Sequence, residues 1–393
     1  MRLLDAVLRK GLPLEAALDT ATRDLDRADD RGFAHAIAAE ALRRLPDLDA
    51  LIDSATSKRL PDDAKPRFAL RLALVQALAM GTAPHAAIAT VLPLVDGGPR
   101  RLVHGVFGTL MRRKAALPEM PTLPEPVEQR WRQAWGAEVM EAAARLIAVP
   151  PPLDLQGEPP ADVEGVSLMP GHLRVARGIS VAGLTGYGEG SVGGSWWVQD
   201  IAASLPARLL GAGEGRTVLD LCAAPGGKTM QLAAAGWKVI ALDVSQSRLA
   251  RLSENLARTG LSAEVVAADV MKWRPPEPVD AVLLDAPCTA TGIYRRHPDV
   301  LHRVRPRAIA ELAEVQKAML DRACAWLKPG GTLVFSVCSL EPEEGEQVAD
   351  HFLAHRPDYR ETDRQRVLPG AWLEVGGSDS FFIAAFTRIS GDK

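Results

Sequence analysis

Cysteine is scarce in this 393-residue chain, which has four cysteines and no CxxC pair. So few thiols exclude a disulfide framework and are typical of a protein from a reducing compartment. Residues 1–10 lack a long uncharged apolar run and are not expected to act as a signal peptide. The most apolar stretch, 69–83, contains Arg71 and is too short to span a bilayer. The sequence therefore predicts a cytoplasmic protein that does not enter a membrane.

The chain also has no excess of positive charge, because it contains 46 Lys and Arg residues and 49 Asp and Glu residues, which give a net charge of −3. The overall charge does not indicate a nucleic-acid-binding protein, so any such surface must come from a local cluster. The apolar fraction of 47% and charged fraction of 24% are ordinary for globular proteins. This length predicts two or three domains.

Residues 1–120 are predicted to form an all-helical domain. Apolar residues recur at helical spacing, as at Leu70, Leu74 and Leu78, and breaks fall at 60–63, 81–84 and 97–99. Residues 117–124 carry a proline at every third position and resemble a linker. Residues 121–195 are predicted to form a small α+β linking region, which includes a helix over 127–148. The last segment of the helical domain is basic, with Arg100, Arg101, His104, Arg112, Arg113 and Lys114.

Residues 196–393 show alternating strand-like and helix-like segments. This alternation predicts a Rossmann-like α/β domain with a doubly wound parallel sheet. Its strands are continuous apolar runs, as expected when both faces of the sheet are covered. The predicted strands are 218–221, 239–243, 265–269, 281–285 and 333–337.

A glycine-rich turn follows the first predicted strand of this domain. Ligands bind at the carboxyl ends of strands in open parallel sheets, and glycine lets the backbone approach a ligand closely. Asp243, at the end of the next strand, suits the hydroxyls of a ribose, and Asp269 could reach an adenine. The turn consists of Cys222, Ala223, Ala224, Pro225, Gly226, Gly227 and Lys228.

Three nucleotide-like ligands compete for this turn. Residues 227–229 (Gly-Lys-Thr) resemble the end of a P-loop, but Cys222 replaces the earlier glycine that the motif requires. The GxGxxG pattern of dinucleotide binding is absent. S-adenosylmethionine has a ribose and an adenine but no phosphate, so it fits best. The glycines alone could also form a plain tight turn, although acids at three successive strand ends weigh against that.

Two cysteines lie just beyond strand ends, where they should face the cofactor. A lone cysteine is usually a small buried hydrophobe, which suits Cys324 but not Cys288 and Cys338. Two such thiols suit methylation of carbon 5 of cytosine, which is unreactive until a thiolate adds to carbon 6. Asp285 is placed to protonate or hydrogen-bond N3 during that addition. Cys288 or a nearby base could assist the release that follows.

These motifs resemble the bacterial ribosomal RNA cytosine-C5 methyltransferases of the RsmB (Fmu/Sun) type. The resemblance rests on residues 196–229, 285–298 and the segment around Cys338, and the N-terminal third resembles the NusB-like RNA-binding domain of that family near 84–87 and 103–106. It implies that Cys338 is the nucleophile, that Cys288 assists product release, and that Asp285 joins the cofactor-binding residues. Val337 and residues 378–382 depart from the family pattern.

The strongest basic cluster of the chain follows Cys288. Arginines beside an active site can hold phosphates and stack on bases, although a charge run is often only a solvated face. The target cytosine should be unpaired or flipped out. The residues predicted to bind RNA are Arg295, Arg296, His297, Arg303, Arg100 and Arg101.

The leading hypothesis is therefore a monomeric methyltransferase that acts on small-subunit ribosomal RNA with S-adenosylmethionine and no metal. One alternative is a methyltransferase with another substrate, such as transfer RNA, DNA or a small molecule. A second alternative is an RNA-binding assembly factor that keeps an inactive methyltransferase fold. The presence of Cys338, Cys288 and Asp285 argues against this second alternative.

Overall fold

The computed structural model describes residues 1–176, 179, 181–184 and 195–390, which form two compact units. The N-terminal unit comprises Met1–Pro150 and Tyr294–Val304, and the catalytic unit comprises Pro151–Ile293 and Arg305–Lys393. The sequence predicted three domains with boundaries after residues 120 and 195. Instead, the helix predicted in the linking region belongs to the N-terminal unit. Tyr294–Val304, here called the inserted segment, also belongs to that unit although it was assigned to the catalytic domain.

The N-terminal unit is helical, as predicted, and its core is built from apolar faces such as that of Leu70 and Leu74 on the fifth helix. The last of its long helices is interrupted at Gly136, which has a φ of 83°. The helices, numbered in chain order, are α1 (Arg2–Leu8), α2 (Leu14–Ala21), α3 (Ala28–Arg43), α4 (Leu45–Ser54), α5 (Lys65–Leu78), α6 (Pro84–Val91), α7 (Gly97–Arg112) and α8 (Glu125–Ala148).

The inserted segment contains a short helix, α12 (Val300–Arg303), and is bound to the rest of the N-terminal unit. The Tyr294 ring packs edge-on against Trp131, with 5.3 Å between centroids. The Leu14 amide donates to Asp299 Oδ2 at 3.4 Å. His302 Nε2 lies 2.7 Å from the Leu42 carbonyl oxygen.

The catalytic unit begins with a small antiparallel sheet. Part of the α+β region predicted over residues 121–195 forms this sheet. Its strands are β1 (Leu153–Gly157), β2 (Gly165–Val166), β3 (His172–Val175) and β4 (Trp196–Val198), in the order β2-β3-β1-β4. Leu155, Val175 and Trp196 form its buried cluster. The rest of that prediction concerns 177, 178, 180 and 185–194, which lie outside the described residues.

The main sheet has seven strands in the order β10-β11-β9-β8-β5-β6-β7. Its five strands from β9 to β7 are parallel, and β10 and β11 are antiparallel additions at one edge. The strands are β5 (Thr217–Leu221), β6 (Lys238–Asp243), β7 (Glu264–Ala267), β8 (Val279–Asp285), β9 (Leu327–Val337), β10 (Tyr359–Val367) and β11 (Phe381–Arg388). The helices are α9 (Ile201–Arg208), α10 (Gly227–Ala234), α11 (Gln246–Thr259), α13 (Pro306–Cys324) and α14 (Glu346–His355).

The local sequence explains these elements. Val282, Leu283 and Leu284 of β8 are all fully buried because cores cover both faces of the sheet. Helix α11 begins where the Ser245 side chain accepts a hydrogen bond from an amide of the first turn, and it ends at Gly260, which has a φ of 68°. These features confirm the Rossmann-like α/β fold behind an all-helical domain. Within the described ranges, no helix combines the length and apolar character needed to cross a membrane.

Candidate active site

Adjacent parallel strands bring the predicted site residues to one edge of the main sheet. Leu221 of β5 pairs with Leu242 of β6 on one side and with Leu284 of β8 on the other. Asp285 of β8 pairs with Ser336 of β9. Strands β6 and β7 extend the sheet on one side of β5, whereas β8 and β9 extend it on the other. Ligands in open α/β sheets bind at such a switch point in the strand order.

The loop from Cys222 to Gly226 is held in a left-handed backbone conformation at both ends, with φ of 63° at Cys222 and 106° at Gly226. A Cβ atom at Gly226 would lie 2.9 Å from Leu252 Cγ, so only glycine fits without strain. The Asp243 carboxylate supports the loop because its Oδ2 accepts from the Ala224 amide at 3.2 Å. The loop thus has a fixed shape beside the strand ends.

Burial controls the titration of two groups near this loop. It raises the pKa of Asp220, which is fully buried and accepts from Thr229 Oγ1 at 2.6 Å, to about 7. Burial, together with the neighbouring acids, also raises the pKa of Cys222 to about 12. Cys222 is therefore a protonated thiol at neutral pH and unsuited to be a nucleophile.

Lys228 forms an ion pair rather than reaching away from the site. Its Nζ lies 2.7 Å from Asp285 Oδ2, and Asp285 Oδ1 accepts from Ser336 Oγ at 2.8 Å. A P-loop uses its lysine on phosphates, whereas this ammonium is 10% exposed and already paired. The geometry thus argues against the phosphate-binding alternative. Sequence reasoning assigned Lys228 only to the cofactor loop and did not identify Ser336.

Cys288 and Cys338 come together, with 3.5 Å between their Sγ atoms. Gly292 fixes the loops that carry them, because its amide donates to the Cys338 carbonyl at 3.0 Å and its carbonyl accepts from the Ser380 amide at 3.0 Å. The hydrogen bond between the thiols, with burial, raises the pKa of Cys288 well above its usual value. Cys288 is therefore a protonated thiol that can donate to Cys338.

Asp269 lies beyond the end of β7, is partly exposed, and pairs with Lys272 at 3.6 Å. Strand β7 ends at Ala267, two residues before Asp269, and the Asp269 side chain is 39% exposed. Its Oδ1 accepts from the Met271 amide at 2.8 Å. The carboxylate keeps room for a further donor, as the predicted adenine contact requires.

The basic cluster after Cys288 is not the open surface that the sequence predicted. Arg295 is 1% exposed, and its contact with RNA phosphates stays a prediction. Arg303 is paired with the buried Asp299 at 2.9 Å. The residues of 294–304 serve the packing of the N-terminal unit, which sequence composition alone could not reveal. RNA contacts by Arg296, His297 and Arg303 stay predictions.

Helix α7 keeps its positive charge on the surface. Arg100 and Arg101 are both exposed. The helix contains no acidic residue, so these charges are not neutralised along it. We call the exposed basic residues of this helix and its C-terminal end the basic face: Arg100, Arg101, His104, Arg112, Arg113 and Lys114.

A buried carboxylate that the sequence did not identify lies behind the two cysteines. Glu344 is fully buried in the loop between β9 and α14. Four acids crowd residues 341–346, so no sequence signal separated it from its exposed neighbour Glu343. In the part of the chain that is described, no three metal-ligating side chains gather as a metal site would require.

Comparison with known proteins agrees with this geometry. The family model described as 16S rRNA methyltransferase RsmB/F matches residues 207–386, and the NusB family model matches residues 1–100. The chain is 33% identical to ribosomal RNA small subunit methyltransferase B of Klebsiella pneumoniae, covering 98% of this chain and 96% of that protein. It is 32% identical to the protein of that name from Pseudomonas putida, and the match covers 100% of this chain and 98% of that protein.

A solved structure extends the likeness to the fold. The crystal structure of PH0851 superimposes with a TM-score of 0.73 at 22% identity and covers 98% of each chain. The relatives match along almost their whole length, and both the helical and the Rossmann-like units are included. The chain therefore belongs to the RsmB/Fmu type of ribosomal RNA small subunit methyltransferase B.

Proposed function

We propose that this protein methylates carbon 5 of a cytosine in small-subunit ribosomal RNA, through a covalent bond between Cys338 Sγ and carbon 6. The observation that carries the proposal is the pair of thiols 3.5 Å apart at the ends of adjacent strands, beside the Lys228–Asp285 ion pair. One thiol can attack while the other assists its departure. The protein is proposed to act as a monomer.

The residues present suit S-adenosylmethionine, which would supply an electrophilic methyl group. Gly226 has a φ of 106°, which glycine adopts without strain, so the turn keeps a tight shape after β5. Asp243 ends β6 where ribose hydroxyls are commonly bound, and Asp269 retains acceptor capacity for an adenine amino group. Lys228 is occupied by Asp285, which agrees with a ligand that has no phosphate.

The cysteines would act in sequence on the base. Cys338 attacks as a thiolate, the Sγ–carbon 6 bond forms, and the displaced electron pair makes carbon 5 nucleophilic. Carbon 5 would take the methyl group as the donor's methyl–sulfur bond breaks and leaves its electron pair on that sulfur, which gives S-adenosylhomocysteine. Carbon 5 would then lose its proton to solvent, and the electron pair of that C–H bond would restore the double bond between carbons 5 and 6. The Sγ–carbon 6 bond breaks, its electron pair returns to Cys338, and the Cys288 thiol donates to the departing sulfur.

Asp285 and Lys228 would orient the base during the attack. As an ion-paired carboxylate, Asp285 is an acceptor for the exocyclic amine of cytosine. The Lys228 ammonium in the same pair holds the proton that N3 needs when carbon 6 is attacked. This refines the expectation that Asp285 serves N3, because a carboxylate that accepts from Lys228 and Ser336 has no proton to give, whereas the ammonium has.

Ribosomal RNA as substrate is supported by the names of the relatives and by the exposed basic face of α7. A base whose carbons 5 and 6 are approached by two reagents must be unpaired or flipped out. The overall negative charge makes such a local surface necessary, since the whole molecule does not attract polyanions.

The test is incubation with methyl-labelled S-adenosylmethionine and undermodified bacterial RNA, followed by digestion and identification of the labelled nucleoside. Label in 5-methylcytidine of small-subunit ribosomal RNA is expected. Label in transfer RNA would keep the chemistry and overturn the substrate. Cofactor binding without any label would favour the assembly-factor alternative.

A further inference from the structure

Glu344 is a buried carboxylate to which the proposed reaction gives no role. It is 0% exposed, and it lies six residues beyond Cys338 in the loop that follows β9. Burial raises its pKa, as expected for an acid removed from water. A carboxylate is seldom buried without a specific set of hydrogen-bond donors, so its partners indicate what it does.

Its partners are the residues that directly follow the two cysteines. Glu344 Oε1 accepts from the Thr289 amide at 2.8 Å, and Glu344 Oε2 accepts from Ser339 Oγ at 2.5 Å. The Thr289 hydroxyl makes a second, short hydrogen bond to Oε2. One side chain therefore holds the Cys288 loop and the Cys338 loop at the same time.

The network requires a group that only accepts. Gln316 Nε2 of α13 donates to Glu344 Oε1 at 3.2 Å, so four donors converge on two oxygens. The Ser339 hydroxyl cannot turn away, because its oxygen accepts from the Glu341 amide at 3.1 Å. An amide in place of the carboxylate would direct its own N–H groups toward donors, and aspartate would be one methylene too short to span both loops.

We propose that Glu344 is a positioning residue that fixes Cys288 against Cys338, so that both thiols serve one cytosine. The role rests on the proposed covalent mechanism. The negative charge of Glu344 also contributes to the raised pKa of Cys288, which keeps the assisting thiol protonated. A misplacement of about 1 Å can cost on the order of a hundredfold in rate, so a clamp of this kind has a measurable effect.

The first experiment compares Glu344→Gln with Glu343→Gln, a matched control at the exposed neighbouring position. Glu344→Gln is expected to lower kcat by about tenfold to a hundredfold with KM for RNA little changed. It should also accumulate a denaturation-resistant protein–RNA adduct, because Cys288 no longer reaches the departing sulfur. A purely structural role would not produce the adduct. Equal behaviour of the two variants would overturn the proposal.

The second experiment measures the thiol pair without RNA. Phenylarsine oxide binds two nearby thiols with loss of water, so the wild-type protein should bind it tightly and Cys338→Ser should not. Glu344→Gln is expected to bind it more weakly than Glu343→Gln does. If Glu344→Gln binds the arsenical more weakly but the wild-type protein makes no 5-methylcytidine, the positioning role is supported and the proposed function is rejected. If Glu344→Gln binds the arsenical normally and the wild-type protein methylates cytosine, the proposed function is supported and the positioning role is rejected.

Two further variants cover the case in which Glu344→Gln does not fold. Thr289→Val and Ser339→Ala each remove one hydroxyl donor and leave the carboxylate in place. Both should shift adduct formation and arsenical binding in the direction predicted for Glu344→Gln, by a smaller factor. Wild-type values for both would overturn the proposal.

Discussion

Cys288 and Cys338 cannot both be thiolates when their sulfur atoms lie 3.5 Å apart. Two negative charges at that distance repel strongly in a partly buried site, so the pair keeps one proton. The raised pKa of Cys288 leaves that proton on Cys288. A thiol that holds its proton suits the assisting role proposed for Cys288.

Cys288→Ala should separate these two roles. Attack by Cys338 needs no proton from Cys288, whereas departure of the sulfur does, so a protein–RNA adduct should accumulate and resist denaturation. Gel electrophoresis under denaturing conditions measures it. Cys324→Ala removes a buried thiol outside the site and should give no adduct. An adduct that persists in Cys288→Ala/Cys338→Ala would contradict the assignment of the nucleophile.

Individual residues differ in how far sequence could predict them. Cys288, Cys338 and Asp285 were found because strand ends are visible as apolar runs followed by polar residues. The partner of Lys228 and the burial of Glu344 could not be found, since both depend on which loops meet across the sheet. The burial of Arg295 could not be predicted, because a cluster of cations looks the same in sequence whether it is buried or solvated.

The loop between β5 and α10 is the element on which cofactor binding is proposed to depend. Gly226 has a φ of 106° and no room for a Cβ beside Leu252. A side chain there would strain the backbone and force either the loop or Leu252 to shift. The shape of the loop, rather than any one polar group, is therefore the feature that the proposed ligand would recognise.

Gly226→Ala should lower the free energy of unfolding by about 1–3 kcal/mol, as expected for a strained backbone position. It should also weaken S-adenosylmethionine binding, measured by calorimetry. Gly260→Ala is the matched control, because Gly260 has a φ of 68° but open space around its Cβ position. That control should share a loss of stability and keep normal affinity. Equal affinities would show that the loop shape does not matter.

Prediction succeeded for the central parallel strands and failed at one edge of the sheet, where neither β10 nor the buried, apolar β11 was identified. The central strands β5, β6, β8 and β9 were visible as apolar runs, and helix α8 as an amphipathic pattern. Strand β10 was missed because it lies at the edge of the sheet and its sequence, 359–367, is mostly polar. An edge strand with exposed side chains has no hydrophobic signal to distinguish it from a loop.

At the scale of the whole molecule, positive charge is local rather than general. The net charge of −3 opposes RNA binding, while the basic face of α7 concentrates cations in one helix and its end. Attraction of this kind should be strongly salt-dependent, because binding releases counterions from the phosphates. The salt dependence therefore reports how many of these cations meet phosphates.

Arg100→Gln/Arg101→Gln should weaken RNA binding and flatten its salt dependence. Each lost phosphate contact should reduce the slope of log K against log salt by about 0.7 to 0.9. The control is Arg132→Gln/Arg145→Gln, which removes the same charge from α8, where both arginines pair with glutamates. Fluorescence anisotropy over a salt series measures both. Identical slopes would remove the basic face from the proposed RNA interface.

The inserted segment affects the order in which the chain can fold during synthesis. The first 150 residues leave the ribosome without the partners of the Leu14 amide, the Leu42 carbonyl and the Trp131 ring. Residues 151–293 must be made before those partners appear, a delay on the order of ten seconds at ordinary translation rates. The N-terminal unit is completed only when most of the catalytic unit already exists. A chain released early therefore lacks a finished N-terminal unit as well as a catalytic site.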